Sequence, residues 1–326
     1  MIHPEISRRD LLATLGLGLS AFSVQGQPAF PSKPIRLVVP FSAGSASDIL
    51  ARSIGEKLQL SFGRAVLVEN RPGAGGTIAT GMVAKAEPDG HTLVVVSAGH
   101  VVNPAIYKSL PYDTLKDLSG VIPLASLPSV LVVNGNSPLK TVSDLTAAAR
   151  VSPGKLNFVS GGIGSASHVN AEKFCFSARI KATHIPLKGA PEMTVEISSG
   201  RADFGFMPLI AVLPALKEAR LKALAISHVR RSAVLPEVPT MAEAGEPGGL
   251  FNFWIGLLAP SKTPRPIVQR LHSEITALFK LPDIAERYAR IGADLMELTP
   301  EKFDALMADE LQSLGAVMQA ANVRAE

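Results

Sequence analysis

Two loops in this sequence combine small residues, hydroxyls and a helix start in a way that suits an anion. Pro40, Phe41, Ser42, Ala43, Gly44, Ser45, Ala46, Ser47 and Asp48 follow an apolar run and lead into a helix-like stretch. Small side chains let backbone amides come close to a ligand, and the amides of a helix N-terminus favour negative charge. Ser160, Gly161, Gly162, Ile163, Gly164, Ser165, Ala166, Ser167 and His168 follow the same logic with more glycine. Facing each other across a cleft, two such helix ends would hold a carboxylate from both sides without Arg or Lys, each contributing roughly 0.3 to 1 kcal/mol. His168 falls in the first turn of its helix, where it could bond a ligand or a water, although a lone histidine there is more often a structural hydrogen-bonder.

Other chemistry finds less support. Arg71, Pro72, Gly73, Ala74, Gly75 and Gly76 form a third glycine cluster. Ile78 stands where a dinucleotide fingerprint needs its third glycine, and no Lys follows as a phosphate loop requires. A tight turn entering a helix is expected there, and no cofactor. Neither Ser45 nor Ser165 lies in a Gly-x-Ser-x-Gly elbow. Histidines 91, 100, 168, 184, 228 and 272 show no metal-ligand spacing, so no metal site is expected. Cys175, between Phe174 and Phe176, reads as a buried apolar side chain. An enzyme acting on a small carboxylate, with His168 as general base, stays as the alternative function.

The elements that must position these loops follow from periodicity. Short Val, Ile and Leu runs alternate with helix-like stretches, the pattern of an α/β protein built from βαβ units around mainly parallel sheets. Strands are expected at 35–40, 65–69, 92–97, 130–133, 156–160, 184–187, 203–207, 223–227 and 253–259. Helices are expected at about 48–60, capped by Ser47 or Asp48, and at 77–86, 143–150, 165–177, 191–199, 264–280 and 300–321. A chain of 326 residues with 47% hydrophobic content suits one large or two medium domains. Two lobes are expected, 27–127 with 250–326 and 128–249. The 32 basic residues against 28 acidic ones are dispersed, without the basic tract that tracks a phosphate backbone, so no nucleic acid is expected. One cysteine rules out an internal disulfide.

Residues 1–26 read as a signal peptide, with Arg8 and Arg9 before an uncharged stretch from Leu11 to about Val24 and a cleavage before Gln27. Ser7, Arg8, Arg9, Asp10, Leu11 and Leu12 resemble a twin-arginine signal. Asp10 and Ala13 are imperfect matches, which leaves the general secretory route open. No later run reaches the roughly 20 apolar residues of a membrane span, so a soluble protein of the periplasm is expected.

Several stretches also resemble the Bug family of extracytoplasmic solute receptors, the substrate-binding components of tripartite tricarboxylate transporters. They are Lys33, Pro34, Ile35, Arg36 with Val38, Val39, Pro40, Phe41; Glu69 to Gly76; Pro88 to Thr92; Gly162, Gly164 and His168; Lys188 to Pro191 with Gly200 and Asp203; and Val238 to Thr240 before Glu243 and Gly245. The resemblance implies a two-lobed periplasmic binding protein of the Venus-flytrap, type II-like kind, with a ligand cleft between lobes. It implies a small carboxylated solute, membrane transporter subunits or a sensor protein as partner, and a monomer. By position, Phe41, Ser42, Ala43, Gly44 and Ser45 would form one jaw and Ser160, Gly161, Gly162, Gly164 and Ser165 the other, partly through water. His168 and Asp203 would shape the site, Asp203 as a partner for a ligand amino group or as an orienter of a nearby loop. Ser45 replaces a usual glycine and Leu187 a common tyrosine, the first adding a hydroxyl donor at the cleft.

Overall fold

The computed structural model describes residues 30–325, so the expected signal peptide lies outside the described residues. Strand β1 (Ile35–Val39) pairs in parallel with β2 (Val66–Asn70) and β3 (Thr92–Ser97). Leu93, Val94, Val95 and Val96 of β3 are all buried, the pattern of a strand covered on both faces. Two further strands, β4 (Leu118–Leu127) and β10 (Phe253–Pro260), with the short β11 (Asp294–Leu295), complete a six-stranded sheet ordered β11-β4-β10-β3-β1-β2. The second sheet has five strands: β5 (Ser129–Asn134), β6 (Asn157–Ser160), β7 (Thr183–Pro186), β8 (Phe204–Pro208) and β9 (Leu221–Ser227), ordered β7-β6-β8-β5-β9.

Both sheets are mixed, which corrects the expectation of mainly parallel pairing. β10 runs antiparallel to β3 and β4, and β5 antiparallel to β8 and β9. These are the strands at which the chain passes from one sheet to the other, and a strand arriving from a different lobe needs no βαβ crossover to set its direction. The sequence also hid β4. Gly120 and Pro123 interrupt its apolar pattern, and its pairing with β10 shifts register at Ile255/Gly256, opposite Pro123. A proline that cannot donate to a ladder is accommodated at such an irregularity.

Helix α1 (Ala46–Phe62) follows β1, α2 (Thr77–Ala84) follows β2, and α3 (Asn103–Ile106) follows β3. In the second lobe come α4 (Val142–Val151), α5 (Ala166–Ser177), α6 (Ala190–Ser198) and α7 (Leu209–Lys217). The first sheet is closed by α8 (Arg265–Phe279), α9 (Pro282–Arg290) and α10 (Pro300–Ala320). Helix α7 escaped the sequence reading because Pro214 lies inside it. One apolar core fills the first lobe and includes Ala166 and Val169 of α5 and Ile210 of α7, while two more cover the two faces of the second sheet. The start of α5 is therefore rooted in the first lobe although its sheet is in the second. No described helix is long and apolar enough to cross a membrane.

Candidate functional site

Past the C-terminal ends of β1, β3, β6, β7 and β8 the two lobes line a small, partly open cavity of about 40 Å³. This is where ligands bind in open α/β sheets. Three helix N-termini open onto it: α1 through Ser45, Ala46 and Ser47, α5 through Ser165, Ala166 and Ser167, and α6 through Gly189 and Ala190. Phe41, Phe253, Met193 and Pro208 supply an apolar wall, with Ser97 and Gly161 completing it. No charged side chain lines the cavity among the described residues.

Local sequence explains the open amides. The first turn of a helix has no residue four positions back to accept its N–H groups. Ser45 is the N-cap of α1, and its Oγ accepts from the Asp48 amide at 3.4 Å; Ser165 caps α5 and accepts from the His168 amide at 3.3 Å. The caps thus serve the third amide of each helix and leave those of Ala46, Ser47, Ala166 and Ser167 without a helical partner. The expected cap at Ser47 or Asp48 is corrected to Ser45: Gly44 takes a positive φ of 82°, Ser45 is extended, and Asp48 falls at the third helical position. Burial would raise the Asp48 carboxyl, but hydrogen bonds from Arg52, Gly44 and Asn70 outweigh it and hold it below the usual carboxylate range.

Of the loop residues singled out in the sequence, the cavity receives Phe41, Ser45, Ala46, Ser47, Gly161, Ser165, Ala166 and Ser167. Ala43 and Gly44 are exposed outside it, and the Gly44 amide donates to Asp48 Oδ2 at 2.9 Å. Ser42 reaches across the cleft: its amide donates to the Lys188 carbonyl at 3.2 Å and its Oγ to Glu192 Oε1 at 2.7 Å. Ser160 is fully buried, with its Oγ 2.6 Å from His184 Nε2 and accepting from the Gly162 amide at 3.1 Å.

Gly162 and Gly164 are glycines because of the opposite lobe. A Cβ on Gly162 would lie 2.9 Å from the Gly75 nitrogen, and one on Gly164 would lie 2.3 Å from Asn103 Oδ1. Gly75 in turn leaves no room for a side chain, since its Cβ would sit 1.8 Å from the Ile163 carbonyl oxygen. The third glycine cluster is a turn into α2, as expected, and it also docks on the second lobe. Tyr107 joins the same seam, its hydroxyl 2.7 Å from the Ile163 oxygen and 2.9 Å from that of Ala74.

His168 and Asp203 do not reach the cavity. His168 is 3% exposed, accepts the Gly164 amide on Nδ1 at 3.2 Å, and stacks on His184 with ring centres 4.1 Å apart. It fastens the loop from behind, and its occupied Nδ1 is not placed to take a proton from a solute. Asp203 precedes β8 at the end opposite Pro208, about 16 Å away at roughly 3.3 Å per residue. Its Oδ2 accepts from the Asn157 amide at 2.7 Å, so it orients the start of β6.

A model of the tripartite tricarboxylate transporter family receptor matches residues 50–323. The chain belongs to this family. Among curated relatives, a UPF0065 protein in the tcbD-tcbE intergenic region of Pseudomonas sp. strain P51 is 38% identical, covering 94% of this receptor and 92% of the relative. BugT of Bordetella pertussis is 34% identical over 95% and 96% of the two chains. Two Rhodopseudomonas palustris structures superpose closely. One solved with adipate has a TM-score of 0.86 at 31% identity over 90% and 98% of the chains. MatC with bound malate has 0.85 at 32% over 88% and 99%. The two-lobed fold is shared, and the family is one of transport receptors, not enzymes.

Sequence reasoning missed Ser97, Gly189, Ala190, Met193, Pro208 and Phe253 on the receptor's cavity wall. For Gly189 and Ala190 a signal existed, since a glycine before Ala-Pro after a strand marks a helix start. Ser97, Pro208 and Phe253 sit at strand ends, and only the packing of the two sheets against each other turns those ends toward one space.

Proposed function

We propose that this chain works in the periplasm as the monomeric receptor of a tripartite tricarboxylate-type transporter, binding a small carboxylated solute between lobes 27–127 plus 250–326 and 128–249. The observation that carries the reading is the meeting of three helix N-termini, two from one lobe and one from the other, at a cavity with no cation on its wall. Such ends bind an anion through amides and dipoles. Phe41, Ser45, Gly161 and Ser165 border the solute, while Ser42, Ser160, Gly162, Gly164 and His168 hold the jaws in shape. Adipate and malate in the R. palustris neighbours support a carboxylate. Closure by a hinge at the two crossings presents the loaded form to membrane subunits of the transporter.

Mass spectrometry of protein purified under native conditions, followed by thermal unfolding with the solute found, tests this. A receptor gains about 2.7 kcal/mol at a solute concentration about 100 times Kd. Consumption of a carboxylate without any rise in the unfolding midpoint would overturn it.

A further inference from the structure

Resting on that receptor reading, we propose that Ile163 is a bolt carried by the second lobe and Tyr107 its catch in the first, and that this pair sets how long a solute stays bound although neither residue lines the cavity. Ile163 stands in the loop between β6 and α5, two residues before Ser165 on the cavity wall. The loop is built on the second sheet. The Leu187 amide, just past β7, donates to the Ser160 carbonyl at 2.9 Å, and Ser160 Oγ lies 2.6 Å from His184 Nε2. Yet the half-buried Ile163 side chain packs against the apolar core of the first lobe, as does that of Tyr107. Gly164 fits the same socket, since a Cβ there would come 3.1 Å from Tyr107 Cε2 as well as against Asn103. Parting the lobes draws Ile163 out of this contact and returns its apolar surface to water, which opposes opening.

Tyr107 secures the bolt with a single proton. Its hydroxyl faces the carbonyl oxygens of Ile163 and Ala74, one in each lobe, and a phenol can donate only one hydrogen. The two acceptors are unequal. The Ala74 oxygen already accepts from the Thr77 amide and from Thr77 Oγ1, the latter at 3.0 Å. The Ile163 oxygen has no other donor among the described residues. A carbonyl left without any donor costs more than one that loses a third, so with the lobes shut the proton belongs to Ile163. Once the lobes part, the hydroxyl turns to Ala74 at 2.9 Å in its own lobe, with no movement of the ring. The first bond holds the shut form, and the second leaves the open form unpenalised, so release of the solute stays within reach. Both are positioning residues, acting on the solute through the loop that carries Ser165.

Stopped-flow kinetics and thermal unfolding of the Tyr107→Phe and Ile163→Ala proteins test this. The probes are adipate, malate and any carboxylate found in the purified protein, each used where the unmodified protein binds it. Both variants are expected to release the probe about tenfold faster, with association changed by less than about twofold, because the contacts form after encounter. The melting of solute-free Tyr107→Phe should match that of the unmodified protein; a merely structural tyrosine would lower it and leave release alone. Unchanged release in either folded variant overturns the pairing of bolt and catch and leaves the receptor reading standing. Ile163→Val, with an intermediate rate expected, takes the place of Ile163→Ala should that variant not fold. Failure of the unmodified protein to bind any probe, with no co-purified carboxylate, overturns the receptor reading and this inference together.

Discussion

Replacing Gly75 by alanine isolates the seam between the lobes. A methyl there would sit 1.8 Å from the Ile163 carbonyl oxygen, and Cβ contacts do not go below 3.0 Å, so one loop must withdraw by the difference, 1.2 Å. Gly75 also has φ of 59°, where an L-residue costs about 1–2 kcal/mol in either the open or the closed form. The steric part falls on any conformation in which this seam is shut, as it is here. Overpacking by one methyl against backbone costs about 1–3 kcal/mol, which weakens solute binding by roughly 5- to 150-fold when closure is coupled to binding. Gly63→Ala is the matched control, because Gly63 has φ of 61° and nothing within 4 Å of its Cβ. Both variants should lose similar thermal stability, while calorimetry should show weak binding for Gly75→Ala only. Equal affinities in the two variants would refute the idea that this seam must close for the solute to be held.

Three further outcomes are expected. Ser42→Ala removes the bond to Glu192 across the cleft and should weaken solute binding about fivefold, at about 1 kcal/mol for a half-exposed hydrogen bond, with little change in the melting of the solute-free protein; equal loss in both measurements would place the contact within one lobe's stability instead. His184 is pushed down to about 3, first by burial and then by His168. An unfolded imidazole titrates near 6.5, so the unfolded chain binds a proton that the fold refuses; this contribution is complete above about pH 6.5 and is lost as pH falls toward 3. The midpoint should drop on acidification and His184→Asn should flatten part of that slope, whereas identical slopes would remove His184 from the account. Cys175 is 5% exposed, and burial, aided by Glu172, raises its thiol pKa. Maleimide should label it only after denaturation, and rapid labelling of the native protein would contradict its burial.

The elements most legible in the sequence were those with local causes. Thr92–Ser97 reads as a strand from its own Val run, and Thr299 with Pro300 marks the start of α10 from its own cap. The glycine loops were legible as backbone features, yet their purpose was not. Gly162 and Gly164 read as places for a ligand to approach, and they are instead places where residues some ninety and sixty positions earlier approach, Gly75 and Asn103. His168 and Asp203 read as residues of a site because their types carry chemistry. Burial against Phe158 and His184 in one case, and position at the far end of β8 in the other, direct that chemistry to the scaffold.

By itself the sequence determined that strands alternate with helices, that two small-residue loops open helices, and that those helix ends carry no Lys or Arg, because caps, glycines and apolar periodicity act over a few residues. Tertiary structure alone decided which amides share a cavity, which glycines face another lobe, and that Phe253 and Met193, sixty residues apart, form one wall. Those outcomes depend on two sheets meeting across a cleft, and no interaction local to the chain specifies what stands on its other side.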